Sequence, residues 1–194
     1  MKGRVLLAGI LGGIVMFFWN WVAHDLLPLG TIGLSEIPNE KAVLAAMDSG
    51  IGNKPGLYFF PGFGANATRA QKEAAMSDPK RLEENPSGLM VYHPPNTHPL
   101  LFVRSLSIEF LAELVESLLA VYLLAQTAIN SFGGRWFFVT VVGVIAAIAT
   151  NISYWNWYGF PGDYTAAYIL MQLVGFVLTG LLAAVLIGKR PLPA

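Results

Sequence analysis

The chain has 194 residues, about the length of one domain, with 55% hydrophobic and only 12% charged residues, about half the charged share of a soluble protein. Twelve Lys and Arg balance twelve Asp and Glu, which excludes a basic nucleic-acid binder and, with so many apolar residues, a disordered chain. The lack of cysteine excludes disulfides, thiolate metal sites and cysteine nucleophiles. This composition is that of an integral membrane protein.

Four apolar stretches are long enough to cross a bilayer as helices, which takes roughly 20 residues each. They cover residues 5–27, 106–126, 136–154 and 165–187. The first stretch follows two basic residues, as a signal peptide would. However, it is long for such a segment, and Trp21-Val22-Ala23 is a poor cleavage site. We therefore predict an all-α membrane protein in which four transmembrane helices form a bundle.

The basic residues of the short segments predict the orientation of these spans. Lys2 and Arg4, then Arg135, then Lys189 and Arg190 fall on one side of the membrane, while the connection between spans three and four has no Lys or Arg. Because positive charges favour the cytoplasm, both termini are predicted to be cytoplasmic.

The long segment between the first two spans is predicted to be a small α/β cap on the extracytoplasmic side. Asn39 is a candidate cap for a helix over residues 40–47, and residues 68–76 also have a helical composition. Residues 56–60, 89–92 and 100–103 are predicted to be short strands. The expected division is helix one at 1–27, the cap at 28–104 and helices two to four at 105–194.

Three glutamates on the second span are the strongest functional signal. Glu109, Glu113 and Glu116 are spaced i, i+4 and i+7, so they share one face of the helix. Glu116 lies about 15 Å along the helix from the expected membrane edge, near the midplane. Ionised carboxylates there are costly, and functional roles are the default explanation for them. Their mutual repulsion favours protonation or a bound cation.

The other spans carry polar side chains at matching depths. Asn20 and His24 end the first span, Asn151 ends the third, and Tyr168 and Gln172 begin the fourth. Such residues can simply join helices by hydrogen bonds, but their convergence with the glutamates predicts a polar cavity in the outer half of the bundle. The candidate ligand-binding residues are Glu109, Glu113, Glu116, Asn20, His24, Gln172, Tyr168 and Asn151.

A metal is one candidate occupant of this cavity. His24 with Glu109 and Glu113 would suit a divalent ion such as iron, manganese or zinc. The spacing matches no defined metal motif, and a plain hydrogen bond between His and Glu is the alternative. No cofactor is therefore certain from the sequence.

A glycine-rich segment resembles a nucleotide-binding motif. Residues 62–67 fit G-x-G-x-x-A after a predicted strand. The segment around them is too short for a doubly wound sheet. A turn is the favoured interpretation.

Several short sequence segments resemble those of a family of small bacterial inner-membrane proteins with no assigned activity. They are Phe17-Phe18-Trp19-Asn20-Trp21, His24-Asp25-Leu26-Leu27-Pro28-Leu29-Gly30, Gly56-Leu57-Tyr58-Phe59-Phe60-Pro61 and Ser153-Tyr154-Trp155-Asn156-Trp157-Tyr158-Gly159-Phe160-Pro161. The resemblance implies a bacterial envelope location and no particular chemistry.

The sequence favours a non-enzymatic role, as an accessory, scaffold or sensing subunit whose cavity holds a cation, a proton or a small polar ligand. The expected partners are the lipid bilayer and either another membrane protein or a second copy, with Gly9 and Gly13 available for helix docking; no nucleic acid is expected. Two alternatives stay open: a membrane-embedded metal-dependent enzyme using His93 or His98, and a small transporter acting as an oligomer.

Overall fold

A computed structural model describes residues 2–64, 66–97 and 101–187. The chain divides into two compact units, one formed by Met1–Leu34 with Leu100–Ala194 and the other by Ser35–Pro99. We call them the helical unit and the inserted unit. The described residues form seven α-helices and one two-stranded sheet.

Four long helices make up the helical unit. They are α1 (Lys2–Trp21), α5 (Phe102–Ala125), α6 (Phe132–Tyr158) and α7 (Gly162–Leu186). Three helical segments of the described chain are long and apolar enough to cross a membrane: Lys2–Leu26, which extends α1, together with α6 and α7. Helix α5 is not among them, because its 24 residues include three glutamates. Length and composition thus support three of the four predicted spans and do not support the fourth.

Helix α1 packs closely on α5 through two glycines. A Cβ added at Gly9 would lie 2.6 Å from Leu118 Cδ2, and one added at Gly13 would lie 2.6 Å from Leu114 Cα. Ser117 Oγ donates a hydrogen bond to the Gly9 carbonyl at 2.8 Å. The expectation that Gly9 and Gly13 are free to dock a partner helix is therefore wrong, since this chain's own α5 covers them.

Helix α7 packs against both α1 and α6. The buried hydroxyl of Thr179 donates to the Gly12 carbonyl at 3.3 Å, and Trp19 Nε1 donates to the Met171 carbonyl at 2.8 Å. On the other side, Phe176 lies against the bare backbone of Gly143. These contacts fix the positions of α1, α6 and α7 around a common interior.

The outer surface of the helical unit is apolar. Large hydrophobic side chains on all four helices are more than half exposed, among them Leu6, Leu111, Phe137, Ile145 and Val185. Contiguous apolar surface of this kind marks a face that contacts lipid or protein. Together with the three long apolar helices, it identifies a membrane protein.

A distorted segment links α1 to the inserted unit. Val22–Leu26 forms a π-helical turn and Leu29–Thr31 a 3-10 turn. The imidazole of His24 lies directly against Gly30, leaving no room for a Cβ there. Gly33, at φ +76°, lies so close to Tyr164 that an added Cβ would be 2.6 Å from the Tyr164 Cβ. These turns therefore hold His24 in place near the start of α7.

The inserted unit has the predicted mixed α/β composition. Its elements are α2 (Glu40–Ile51), β1 (Gly56–Phe60), α3 (Arg69–Met76), α4 (Lys80–Glu83) and β2 (Gly88–Tyr92). The strands pair antiparallel, with Tyr58 opposite Met90. The prediction of β1 is confirmed residue for residue. Thr68 starts α3 through a capping box with Gln71.

Two local predictions for this segment need correction, and the turn expected in its glycine-rich part is present. Asn39 makes no side-chain capping bond to α2. The strand expected at residues 100–103 is wrong, because α5 begins at Phe102, and His98, Pro99 and Leu100 lie outside the described residues. The glycine-rich segment contains a turn, in which the Ala67 amide donates to the Gly64 carbonyl at 3.2 Å; Ala65 is not among the described residues.

Candidate functional site

A cavity of about 210 Å³ lies inside the helical unit among α1, α5, α6 and α7. The structure brings all eight candidate ligand-binding residues to its wall. They are Asn20, His24, Glu109, Glu113, Glu116, Asn151, Tyr168 and Gln172, and the remaining lining residues are Met16, Ala112, Thr150, Met171 and Gly175.

Glu113 is the most deeply buried charged group of this wall, with a residue exposure of only 3%. Asn20 of α1 donates a hydrogen bond from Nδ2 to Glu113 Oε1. The other oxygen, Oε2, is buried and has no hydrogen-bond partner among the described residues. A buried, unsatisfied carboxyl oxygen costs about 1–3 kcal/mol or more, so the chain keeps Glu113 on the cavity wall at a cost in stability.

The other two glutamates surround Glu113 with negative charge. Glu109 lies one turn before it and is exposed, while Glu116 lies one turn after it and is half-buried. None of the described residues that line the cavity is Lys or Arg. Since like charges repel and an opposite charge or a proton relieves the repulsion, the wall favours a positively charged or proton-donating occupant.

His24 lies in the π-helical turn that follows α1, a type of distortion often found at functional sites. Its Nδ1 is 2.9 Å from the Asn20 carbonyl oxygen. A carbonyl only accepts hydrogen bonds, so Nδ1 carries a proton and, in the neutral ring, Nε2 is the acceptor. The ring meets Tyr168 edge to face, with centroids 6.1 Å apart.

Two amides form the wall on the side of α6 and α7. Asn151 is 9% exposed and donates from Nδ2 to the Ala147 carbonyl at 3.0 Å and to Gln172 Oε1 at 3.4 Å. The pair joins α6 to α7 across the cavity wall. Helix-joining hydrogen bonds and a ligand-facing wall are thus combined in the same side chains.

Part of the cavity wall is exposed. The lining residues that are also exposed are His24 after α1, Glu109 and Ala112 on α5, and Thr150 on α6. Helices α5 and α6 make little contact with one another, whereas α1 packs along α5 and α7 packs along α6.

The expected metal set is not assembled. Among residues 2–64, 66–97 and 101–187, no three His, Asp or Glu side chains are grouped so that they could hold a metal ion. His24 directs Nδ1 to the Asn20 carbonyl, and Glu113 accepts at Oε1 from the Asn20 amide. His93 lies in the inserted unit, and His98 is outside the described residues.

The sequence prediction missed Met16, Met171 and Ala112 as lining residues. Each could have been found from helical spacing, since Met16 lies one turn before Asn20, Met171 lies one turn after Tyr168, and Ala112 lies one turn after Glu109. These side chains make part of the wall apolar.

In comparisons with known proteins, no protein-family model, no curated protein and no solved structure matches this chain.

Proposed function

We propose that this is a four-span protein of the bacterial inner membrane that acts as an accessory, scaffold or sensing subunit, and that its cavity binds a cation, a proton or a small polar ligand at Glu113. The observation that carries the proposal is Glu113, a buried residue of the cavity wall whose Oε2 has no partner among the described residues. Retaining such an atom is costly unless it is used.

The surface of α5 supports its assignment as the fourth span. Its 24 residues extend about 36 Å, enough to cross the hydrocarbon core. Its most buried glutamate faces the cavity, while Leu111, Val115 and Leu119 are each more than half exposed. The helix thus directs Glu113 inward and these apolar side chains outward, as expected of a span whose ionisable residue faces the bundle interior.

The basic residues support an orientation with both termini in the cytoplasm and the inserted unit in the periplasm. Arg135 is near the start of α6, and Lys2 and Arg4 are at the start of α1. Arg135 is buried and donates from Nε to the Ile129 carbonyl at 3.1 Å. The segment between α6 and α7 has no Lys or Arg, as expected of a periplasmic connection.

The fourth span is tested by single-cysteine labelling, for which the cysteine-free chain is already suited. Phe102→Cys is placed at the start of α5 and Gln126→Cys at its end, both at exposed positions. In intact spheroplasts, a membrane-impermeant maleimide should label Phe102→Cys, and it should reach Gln126→Cys only after permeabilisation. Equal labelling of both from one side would show that α5 does not cross the membrane.

Ligand binding is tested with ammonium chloride as the probe, with sodium chloride at equal ionic strength as the reference. Ammonium should raise the unfolding temperature of the detergent-purified protein in a saturable manner. Glu113→Gln should abolish the rise, whereas Glu36→Gln, at an exposed position of the inserted unit, should retain it. A response that is identical in wild type and Glu113→Gln would refute binding at Glu113.

A further inference from the structure

We infer that the ligand is a small alkylated ammonium ion, held by the Glu113 carboxylate and by the aromatic ring of Tyr168. This inference rests on the proposed function and narrows it to one class of ligand. It is based on the apolar part of the cavity wall, on a chain of aromatic rings that ends at the cavity, and on the cavity's size.

The apolar part of the wall argues against a bare inorganic cation. Ca²⁺ and Mg²⁺ take about six or more oxygen ligands, and no described group of acidic and histidine side chains could hold a metal ion. The wall instead places Met16, Met171 and Ala112 beside Glu113. Methyl groups carried on a charged nitrogen match such a surface, since thioethers and alkyl groups pack well against apolar ligand atoms.

A chain of aromatic rings leads along the helical unit to the cavity. Tyr154 stacks on Phe160 at a centroid distance of 5.3 Å, Phe160 meets Tyr164 at 5.6 Å, and Tyr164 meets Tyr168 at 4.3 Å. Tyr168 lines the cavity and meets the ring of His24. Aromatic rings attract alkylammonium ions through their quadrupoles, most strongly where water is excluded.

The volume of the cavity limits the size of the ion. At about 210 Å³, it is smaller than the roughly 300–1,000 Å³ of typical drug-sized ligand sites. A compact cation with a few methyl groups fits this space. The three glutamates and the lack of a Lys or Arg among the described lining residues disfavour an anion.

The test compares trimethylammonium with ammonium on the full chain purified in detergent, by isothermal titration calorimetry. Trimethylammonium should bind at least about 5-fold more tightly, because it keeps one N–H for the Glu113 carboxylate and adds methyl contacts to the apolar wall and to the Tyr168 ring. This comparison is made in the wild type and needs no variant to fold.

Variants at Tyr168 then identify the ring that provides the contact. Tyr168→Leu should weaken trimethylammonium binding about 5- to 30-fold, while ammonium binding changes much less. Tyr168→Phe, which keeps a ring, should retain most of the affinity. Tyr122→Leu removes an exposed tyrosine that does not line the cavity and should leave both affinities unchanged.

These experiments distinguish failure of the proposed binding at Glu113 from failure of the alkylammonium assignment. If neither cation binds in a manner that depends on Glu113, the proposed binding function fails, and this inference fails with it. If ammonium binding depends on Glu113 but trimethylammonium binds no more tightly, or its binding is insensitive to Tyr168→Leu, only the alkylammonium inference is overturned.

Discussion

Asn20 of α1 donates a side-chain hydrogen bond to Glu113 of α5. The backbone carbonyl of Asn20 also accepts a hydrogen bond from His24 Nδ1, at 2.9 Å. One residue therefore positions both the most buried carboxylate of the cavity and its histidine. The two polar groups that are best placed to contact a ligand are coupled through the end of a single helix.

Removing the Asn20 amide should destabilise the protein. In Asn20→Ala, Glu113 Oε1 loses its donor, and we expect a loss of about 1–3 kcal/mol in the free energy of unfolding. The measurement is reversible unfolding in mixed detergent micelles.

The matching control replaces both partners with apolar groups. The double variant Asn20→Leu with Glu113→Leu removes the donor and the acceptor together, so it should be closer to wild type in stability than Asn20→Ala. If Asn20→Ala is as stable as wild type, the bond between Asn20 and Glu113 contributes nothing to the fold.

The close approach of α1 and α5 should make Gly13 intolerant of a side chain. A Cβ there would lie 2.6 Å from the Leu114 Cα, a backbone atom that cannot move aside alone. Gly13→Ala should therefore cost about 1–3 kcal/mol. Gly133→Ala in the first turn of α6 meets no atom within 4 Å and serves as the control; a similar loss in both variants would contradict the packing argument.

The contact between Gly30 and His24 predicts a compensating pair. In Gly30→Ala the new methyl group collides with the imidazole, which should cost about 1–3 kcal/mol. In a His24→Ala background the space is free, so the same substitution should cost much less. A double-mutant cycle on unfolding free energies should give a coupling of about 0.5–3 kcal/mol, and a value of zero would exclude the contact.

Tyr92 should make the inserted unit less stable at high pH. Burial, followed by the negative charge of Asp48 and the phenol of Tyr58, raises the pKa of Tyr92 above its usual value, which is about 10. The folded state therefore disfavours the phenolate. The contribution of Tyr92 to the free energy of unfolding is fully present below about pH 10. It is lost as the pH rises through the pKa that Tyr92 has in the folded state.

Ultraviolet titration and unfolding test this dependence together. Titration of the wild type should show a phenol that ionises at a higher pH than an ordinary tyrosine, and this phenol should be absent from Tyr92→Phe. The loss of stability at alkaline pH should also be smaller in the variant. The variant also lacks the 3.0 Å hydrogen bond from the Tyr92 hydroxyl to the Gly52 carbonyl. An equal alkaline loss in both proteins would assign the effect to other groups.

Helical periodicity alone was sufficient to predict which polar residues share the cavity. Glu109, Glu113 and Glu116 repeat with the helix, and their partners lie at corresponding depths, so long regular helices bring them together. The hydrogen bond that Asn20 makes to Glu113 depends on how α1 rotates against α5, and sequence spacing does not specify that rotation.

Errors arose where local pattern and tertiary context disagree. Residues 100–103 have a strand-like composition, yet Phe102 begins α5 because the helix continues into an apolar face that packs on α1. Gly9 and Gly13 are typical of helix docking, and the structure uses them for docking within the chain. A sequence pattern predicts close contact but does not identify the partner helix.

The position of Asn20 on the first helix bears on how the protein is made. A helix with three carboxyl groups enters a bilayer poorly on its own, since each one costs about 2.5–3.5 kcal/mol near the centre. In the proposed four-span arrangement, α1 emerges before α5 during synthesis, so Asn20 would be in the membrane when Glu113 enters it. The order of the two helices along the chain would then let Asn20 assist the insertion of α5 as well as stabilise the folded state.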